Sequence, residues 1–161
     1  MKILVAIDET EYCQRIVQYL GGLLRGSSHT RVTLFHVLRP MPRKFLEHGG
    51  SENPNMEGEL QNQLRKDQTQ WIRAEQEAEC PYLLNARSML GNAGFPLDHV
   101  DLKFGHEDDI AGNILEEART GEYSTIVVGR YGTSKVRRLF GGGVTDRLLQ
   151  EARGLAVWVV E

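Results

Sequence analysis

Apolar residues arrive along this chain in short unbroken runs, separated by stretches with helical spacing. Ile3-Leu4-Val5-Ala6-Ile7 is continuous and rich in β-branched side chains, the pattern of a strand buried on both faces. Cys13, Ile16, Val17, Leu20, Leu23 and Leu24 then recur three and four residues apart. That spacing predicts a helix, which Gly21-Gly22 weaken near its end and Gly26 can cap. A second strand is expected over 32–38, closed by Arg39-Pro40. Residues 41–56, with Pro42, Pro54 and Gly49-Gly50 and few apolar side chains, read as the least ordered part. Residues 57–80 are polar and helix-favouring, with sparse anchors at Leu60, Leu64, Trp71, Ala74 and Ala78. Pro81 is expected to kink or restart that helix, and Leu83, Leu84, Met89, Leu90 and Ala93 carry the periodicity to Gly94. A strand at 97–103, a helix at 107–119, a strand at 126–128, a helix at 143–152 and a strand at 155–160 complete the chain. The alternation predicts the α/β class: an open, doubly wound, five-stranded parallel sheet with helices on both faces.

A length of 161 residues suits one domain over 1–161, large enough to bury a core without covalent staples. Two cysteines, Cys13 and Cys80, make no disulfide framework and fit a reducing compartment. The first apolar run ends at Asp8, too soon for a signal peptide or a membrane span, so a soluble cytoplasmic protein without membrane contact is expected. The net charge of −3 supplies no global attraction to nucleic acid. Its distribution is more telling. Tyr123 to Thr145 holds Arg130, Lys135, Arg137 and Arg138 and no acid, and Gly129, Gly132, Gly141, Gly142 and Gly143 crowd the same stretch. A short, glycine-dense, positive segment in an acidic chain suits a small anion such as a phosphate chain.

The spacing there is Gly129-x2-Gly132-x9-Gly142-Gly143-Val144-Thr145, a strand running through a loop into a helix. Helix N-terminal N–H groups lack internal partners and carry partial positive charge, so they bind phosphate oxygens. A connector that merely turns tightly would explain the same glycines. The G-x4-G-K-[ST] phosphate loop is absent, and the dinucleotide pattern G-x-G-x-x-G fails because Asp146 stands three residues past Gly143. The turn after the first strand, Asp8-Glu9-Thr10, has no glycine, against a dinucleotide-dependent dehydrogenase. Asp8 itself reads either as a helix cap or as an acceptor for a ribose hydroxyl or a base amino group. His36 reads as structural, Cys13 as core, and His106-Glu107-Asp108-Asp109 as acids at a helix start rather than a metal cluster. Ser134 has no histidine base nearby in sequence. Arg137 and Arg138 are either a solvated basic stretch or phosphate contacts beside the glycine loop.

Ile3 to Asp8, Val32-Thr33-Leu34-Phe35-His36-Val37, the glycine segment from Ile126 to Thr145, and Leu155 to Val160 together resemble the universal stress protein family over the whole chain. The resemblance implies strand order 3-2-1-4-5, a homodimer paired through the last strand, and a split between members that bind ATP and members that do not. For the ATP-binding branch it implies Ile7, Asp8 and Val37 around adenosine. Gly129, Arg130, Gly132, Gly142, Gly143, Val144 and Thr145 would lie around ribose and phosphates, with Arg138 beside them and Mg2+ held mainly by the phosphates. Gly143 departs from the Ser or Thr usual in the family, and Ala156-Val157 from its usual Pro-Val. Segment 41–80 is longer than the family core needs and reads as a lid or a surface for a protein partner. No general base is evident near the loop, so binding and stress signalling are expected rather than turnover, at most slow hydrolysis or autophosphorylation. The alternatives are a dimeric interaction protein of the same fold without nucleotide, and an adenylating enzyme of the related α-hydrolase type, for which 161 residues leave little room.

Overall fold

The computed structural model describes residues 1–8, 12–47, 49–50, 52–106, 109–130 and 143–161. Strand β1 is Lys2–Ala6 and helix α1 is Tyr12–Leu23; β2 is Arg31–Val37, α2 Pro54–Asn92 and β3 Val100–Gly105. Helix α3 is Ile110–Thr120, β4 Thr125–Gly129, α4 Val144–Glu151 and β5 Ala156–Val160. All neighbouring strands pair in parallel, in the order β3-β2-β1-β4-β5. The class and the strand order both match the sequence expectation.

The unbroken apolar runs are explained by cover on both faces. Ile3, Val5 and Ile7 of the first run join Ile16, Val17 and Leu20 of α1 and Leu83 and Leu90 of α2 in one core layer. Leu4 points the other way, into a layer with Phe35, Ile114, Leu115, Ile126 and Leu148, which brings in α3 and α4. Strand side chains alternate between faces, so one run serves two cores.

Three local expectations need correcting. Gly21 does more than weaken α1: it is buried, and a Cβ there would overlap the Cβ of Ala93 just past α2. The glycine lets the two helices approach closely. Pro81 does not restart α2, which runs unbroken from Pro54 to Asn92. Interior proline costs about 3 kcal/mol. Here the buried stripe of Glu79, Leu83, Ala86 and Leu90 brackets it and packs on the sheet. Residues 41–56 also carry more order than their composition suggests. Phe45, in a short 3-10 turn, lies 6.4 Å from the Trp71 ring, and its carbonyl accepts from Gln68 Nε2 at 2.7 Å. Helix α2 starts earlier than 57, because Asn53 caps it by accepting from the Asn55 N–H and Pro54 occupies the first turn.

The two sheet edges differ. Edge strand β3 carries Asp101 and Lys103, which pair with Arg31 (3.5 Å) and Glu117 (2.6 Å). Edge strand β5 is apolar throughout: Trp158 and Val160 pack toward one core layer, Val157 toward the other, and Val159 stays 38% exposed.

Candidate functional site

The register of β1 against β4 runs from Ile3↔Thr125 to Val5↔Val127. Beyond it the two strands leave for opposite sides of the sheet, β1 through α1 toward β2, and β4 toward α4 and β5. Such a switch point opens a crevice at the carboxyl ends of the strands, where open α/β sheets take their ligands. Ile7 and Asp8 follow β1, Val37 closes β2, Gly129 closes β4 with Arg130 next, and Gly143, Val144 and Thr145 open α4. Gly132, Arg138 and Gly142 lie outside the described residues, as do Ser134, Arg137, Glu107 and Asp108.

Contacts give these residues distinct parts. Ile7 is 4% exposed, so its side chain belongs to the core and only its backbone borders the crevice. Its N–H donates to the Phe35 carbonyl at 2.8 Å. Asp8 is half-buried, and its carboxylate charge adds to burial in pushing the neighbouring Cys13 thiol up to about 12, which makes Cys13 an inert core group. Arg130 pairs through its guanidinium with Glu161 at the end of β5. The Thr145 hydroxyl donates to the Gly129 carbonyl at 2.8 Å and so fastens the first turn of α4 to the end of β4. At Gly143, the N-cap of α4, the backbone N–H donates to Asp146 Oδ2 at 3.3 Å. One donor of that helix N-terminus is therefore already answered by an acid of the chain itself.

A clamp on α4 was not legible in the sequence. Arg147 Nη1 reaches both oxygens of Asp109, at 2.5 and 2.6 Å, and its Nε donates to Glu151 at 2.8 Å. Asp109 also caps α3 through the Gly112 N–H at 3.1 Å, so one carboxylate ties the starts of α3 and α4 together. The hydrogen bond from Arg147, and after it that from Gly112, holds the Asp109 carboxyl below the usual carboxylate range. A depressed folded-state value means that the contribution to stability is present at neutral pH and lost as pH falls. Melting temperatures measured from neutrality to about pH 2 should decline less steeply for Asp109→Asn, which keeps a capping side chain. Identical slopes for variant and parent would show that the clamp adds nothing, as exposed pairs often do.

Among the described residues, no group of three His, Cys, Asp or Glu side chains could hold a metal ion. No helix among them is long and apolar enough to cross a membrane. The model of the universal stress protein family matches residues 1–161. The chain belongs to the universal stress protein family.

No curated protein matches this universal stress protein. Solved structures do. A universal stress protein in complex with cAMP shares its fold with a TM-score of 0.66 and 15% identity, covering 100% of this chain and 96% of that one. Universal stress protein UspA from Lactobacillus plantarum gives 0.68 and 17%, over 100% and 97% of the two chains. The universal stress protein from Archaeoglobus fulgidus in complex with dAMP gives 0.57 and 15%, over 100% and 98%. At such identities the likeness is one of fold.

Two further features involve α2. The first half of α2 is largely exposed, and beside it lies an open concavity of about 690 Å³ that, among the described residues, only α2 lines, from Arg65 to Glu77. The second is a buried polar cluster where α2 meets the crevice. His36 is 8% and Glu79 3% exposed. His36 Nδ1 lies 2.8 Å from the Ile7 carbonyl oxygen and Nε2 lies 3.7 Å from Glu79 Oε2, while Arg39 Nη2 donates to Glu79 Oε1 at 3.0 Å. The sequence did hold a signal for Glu79, which stands in phase with Leu83, Ala86 and Leu90 on the buried stripe.

Proposed function

We infer that this universal stress protein is a single nucleotide-binding domain over 1–161 that takes ATP in the crevice between β1 and β4 and acts in stress signalling in the cytoplasm. The observation that carries the reading is the juxtaposition at the switch point. The Gly129 carbonyl is fastened to Thr145 at the start of α4, across from Ile7 and Asp8 at the end of β1. Backbone groups and one carboxylate at such an edge suit a nucleoside, and a helix N-terminus beside them suits its phosphates. Relatives of the same fold crystallised with cAMP and dAMP support an adenine nucleotide as the ligand class. Ile7, Asp8 and Val37 then take the adenosine side. Gly129, Arg130, Gly132, Arg138, Gly142, Gly143, Val144 and Thr145 take ribose and phosphates, and Mg2+ rides on the phosphates.

A second reading, the same fold without nucleotide, draws on one observation: Asp146 takes the Gly143 N–H and places a negative charge where phosphates would approach. Two measurements separate the readings. A mass spectrum of the denatured purified protein asks whether a nucleotide travels with it, and calorimetry with ATP and with cAMP asks for binding directly. Asp8→Ala should weaken ATP by about 1.5–3 kcal/mol, the range for a hydrogen bond to a charged group. Unchanged affinity together with a loss of about 1 kcal/mol in stability would instead make Asp8 a helix cap.

A further inference from the structure

The cluster of His36, Glu79 and Arg39 reaches the crevice through the Ile7 carbonyl oxygen. That carbonyl lies just past the last β1–β2 register pair, Ala6↔Phe35, where the chain turns toward Asp8. Nothing but a donor can sit 2.8 Å from it, so Nδ1 carries a hydrogen. The other ring nitrogen then faces Glu79 Oε2, a buried oxygen that accepts no hydrogen bond among the described residues. A neutral ring in this tautomer would set a bare lone pair against a carboxylate oxygen where both groups are buried, with neither satisfied by the other. Arg39 donates to Oε1, so Oε2 is the oxygen left to the ring. The arrangement is therefore consistent when Nε2 is protonated as well.

Among the described residues, three elements and Arg39 surround the ring. From α2 come Glu79 and the Tyr82 ring, 6.5 Å away. From β3 comes Phe104, edge-on at 6.2 Å. From β1 comes the Ile7 carbonyl, with Asp8 next in the chain. Arg39 stands behind Glu79 and also pairs with Glu75 at 3.5 Å. Cys13 is the titratable group that α1 adds to this core layer.

We propose that His36 is a positioning residue of the crevice, sharing one proton with Glu79, and that this proton keeps the imidazole on the Ile7 carbonyl and makes nucleotide binding proton-linked. Loss of the proton leaves the ring one hydrogen for two acceptors. The tautomer that serves Glu79 gives up the Ile7 carbonyl and loosens the peptide that leads into Asp8, while the Ile7 N–H stays on Phe35. Nucleotide affinity then falls as pH rises and the ring gives up that proton. Long helix α2 thereby gains a direct hold on the ligand edge. The inference rests on the nucleotide reading of the crevice, but its first test does not.

That test is NMR of the full chain without nucleotide, following the Ile7 carbonyl carbon and the His36 ring nitrogens from pH 5.5 to 8.5. The Ile7 signal should move with the His36 titration in the parent and stay fixed in Glu79→Gln. In that variant the side-chain amide can donate to Nε2 while its oxygen accepts from Arg39, which holds the hydrogen on Nδ1 at every pH. Calorimetry with ATP and with cAMP supplies the second arm. Parent affinity should fall about tenfold across the range, the worth of one hydrogen bond. Glu79→Gln should keep the low-pH affinity throughout, and His36→Gln should be weak throughout. Comparing variants under the same conditions removes the titration of the nucleotide itself. An Ile7 signal indifferent to the charge on His36, or a Glu79→Gln variant with the parent's pH slope, overturns the proposal. A parent that binds neither nucleotide at any pH overturns the reading of the crevice instead, and the NMR titration still decides the role of His36.

Discussion

Gly132→Val and Gly142→Val should each abolish measurable ATP binding and leave the fold in place. Both positions belong to the loop between the end of β4 at Gly129 and the start of α4 at Val144, and both lie outside the described residues. The expectation comes from how the ends of that loop are held. Thr145 closes on Gly129 and Arg147 on Asp109, so α4 has anchors of its own outside the loop. A substitution within the loop leaves those anchors in place. A β-branched side chain disfavours φ > 0 and fills the space that lets a phosphate reach backbone N–H groups. Losing even one such charge-assisted contact costs about 1.5–3 kcal/mol, and steric exclusion adds to it, so a loss of at least about 100-fold is expected. Calorimetry with ATP checks the affinity, and circular dichroism checks the fold. If both variants bind like the parent, the glycine loop is not the phosphate site.

The second large effect concerns assembly. Chains of this universal stress protein should pair through β5, and Val157→Lys, or Val159→Pro, should yield monomer in light scattering. An unprotected edge strand invites another chain, and proteins usually guard such edges with charge or proline. Here β3 is guarded by Asp101 and Lys103 with their partners, whereas Ala156 to Val160 holds neither device. Two copies of β5 related by a two-fold axis would satisfy the open backbone groups and cover Val159. Proline at 159 would remove a backbone donor at an exposed edge position, whereas lysine at 157 would also set a charge against the core layer that Val157 packs on, so circular dichroism must show that variant folded before its monomer counts. A parent protein that stays monomeric at micromolar concentration would dismiss the idea.

The parallel sheet was legible because its strands are covered on both faces. Ile3 to Val5 and Ile126 to Val128 must be apolar at every position, and such runs between helical spacings leave few architectures. Strand bounds moved by one to three residues at β1, β2 and β3, because strand ends are set by the neighbour's register, as in Ile3↔Val32 and Val32↔Val100. The start of α2 was missed for a different reason. Asn53-Pro54 is a good cap and first position, but prolines and glycines around it read as breakers.

What the sequence determined by itself is everything carried by local pattern: the alternation of elements, the apolar edge strand, and the glycine spacing between β4 and α4. Those signals are periodic or adjacent, so no folded chain is needed to see them. What only the tertiary structure decided are the pairings between distant residues. Gly21 meets Ala93, Asp109 meets Arg147, and Glu79 meets His36 across 43 positions of chain, at 3.7 Å. Pro81 stays inside a helix for the same reason, since the packing of Glu79, Leu83 and Leu90 outweighs a local cost of about 3 kcal/mol. A buried glutamate on an apolar stripe gives only a phase in the sequence. That it stands beside a histidine holding the end of β1 follows from the sheet bringing β1 and β2 together and from α2 lying across them.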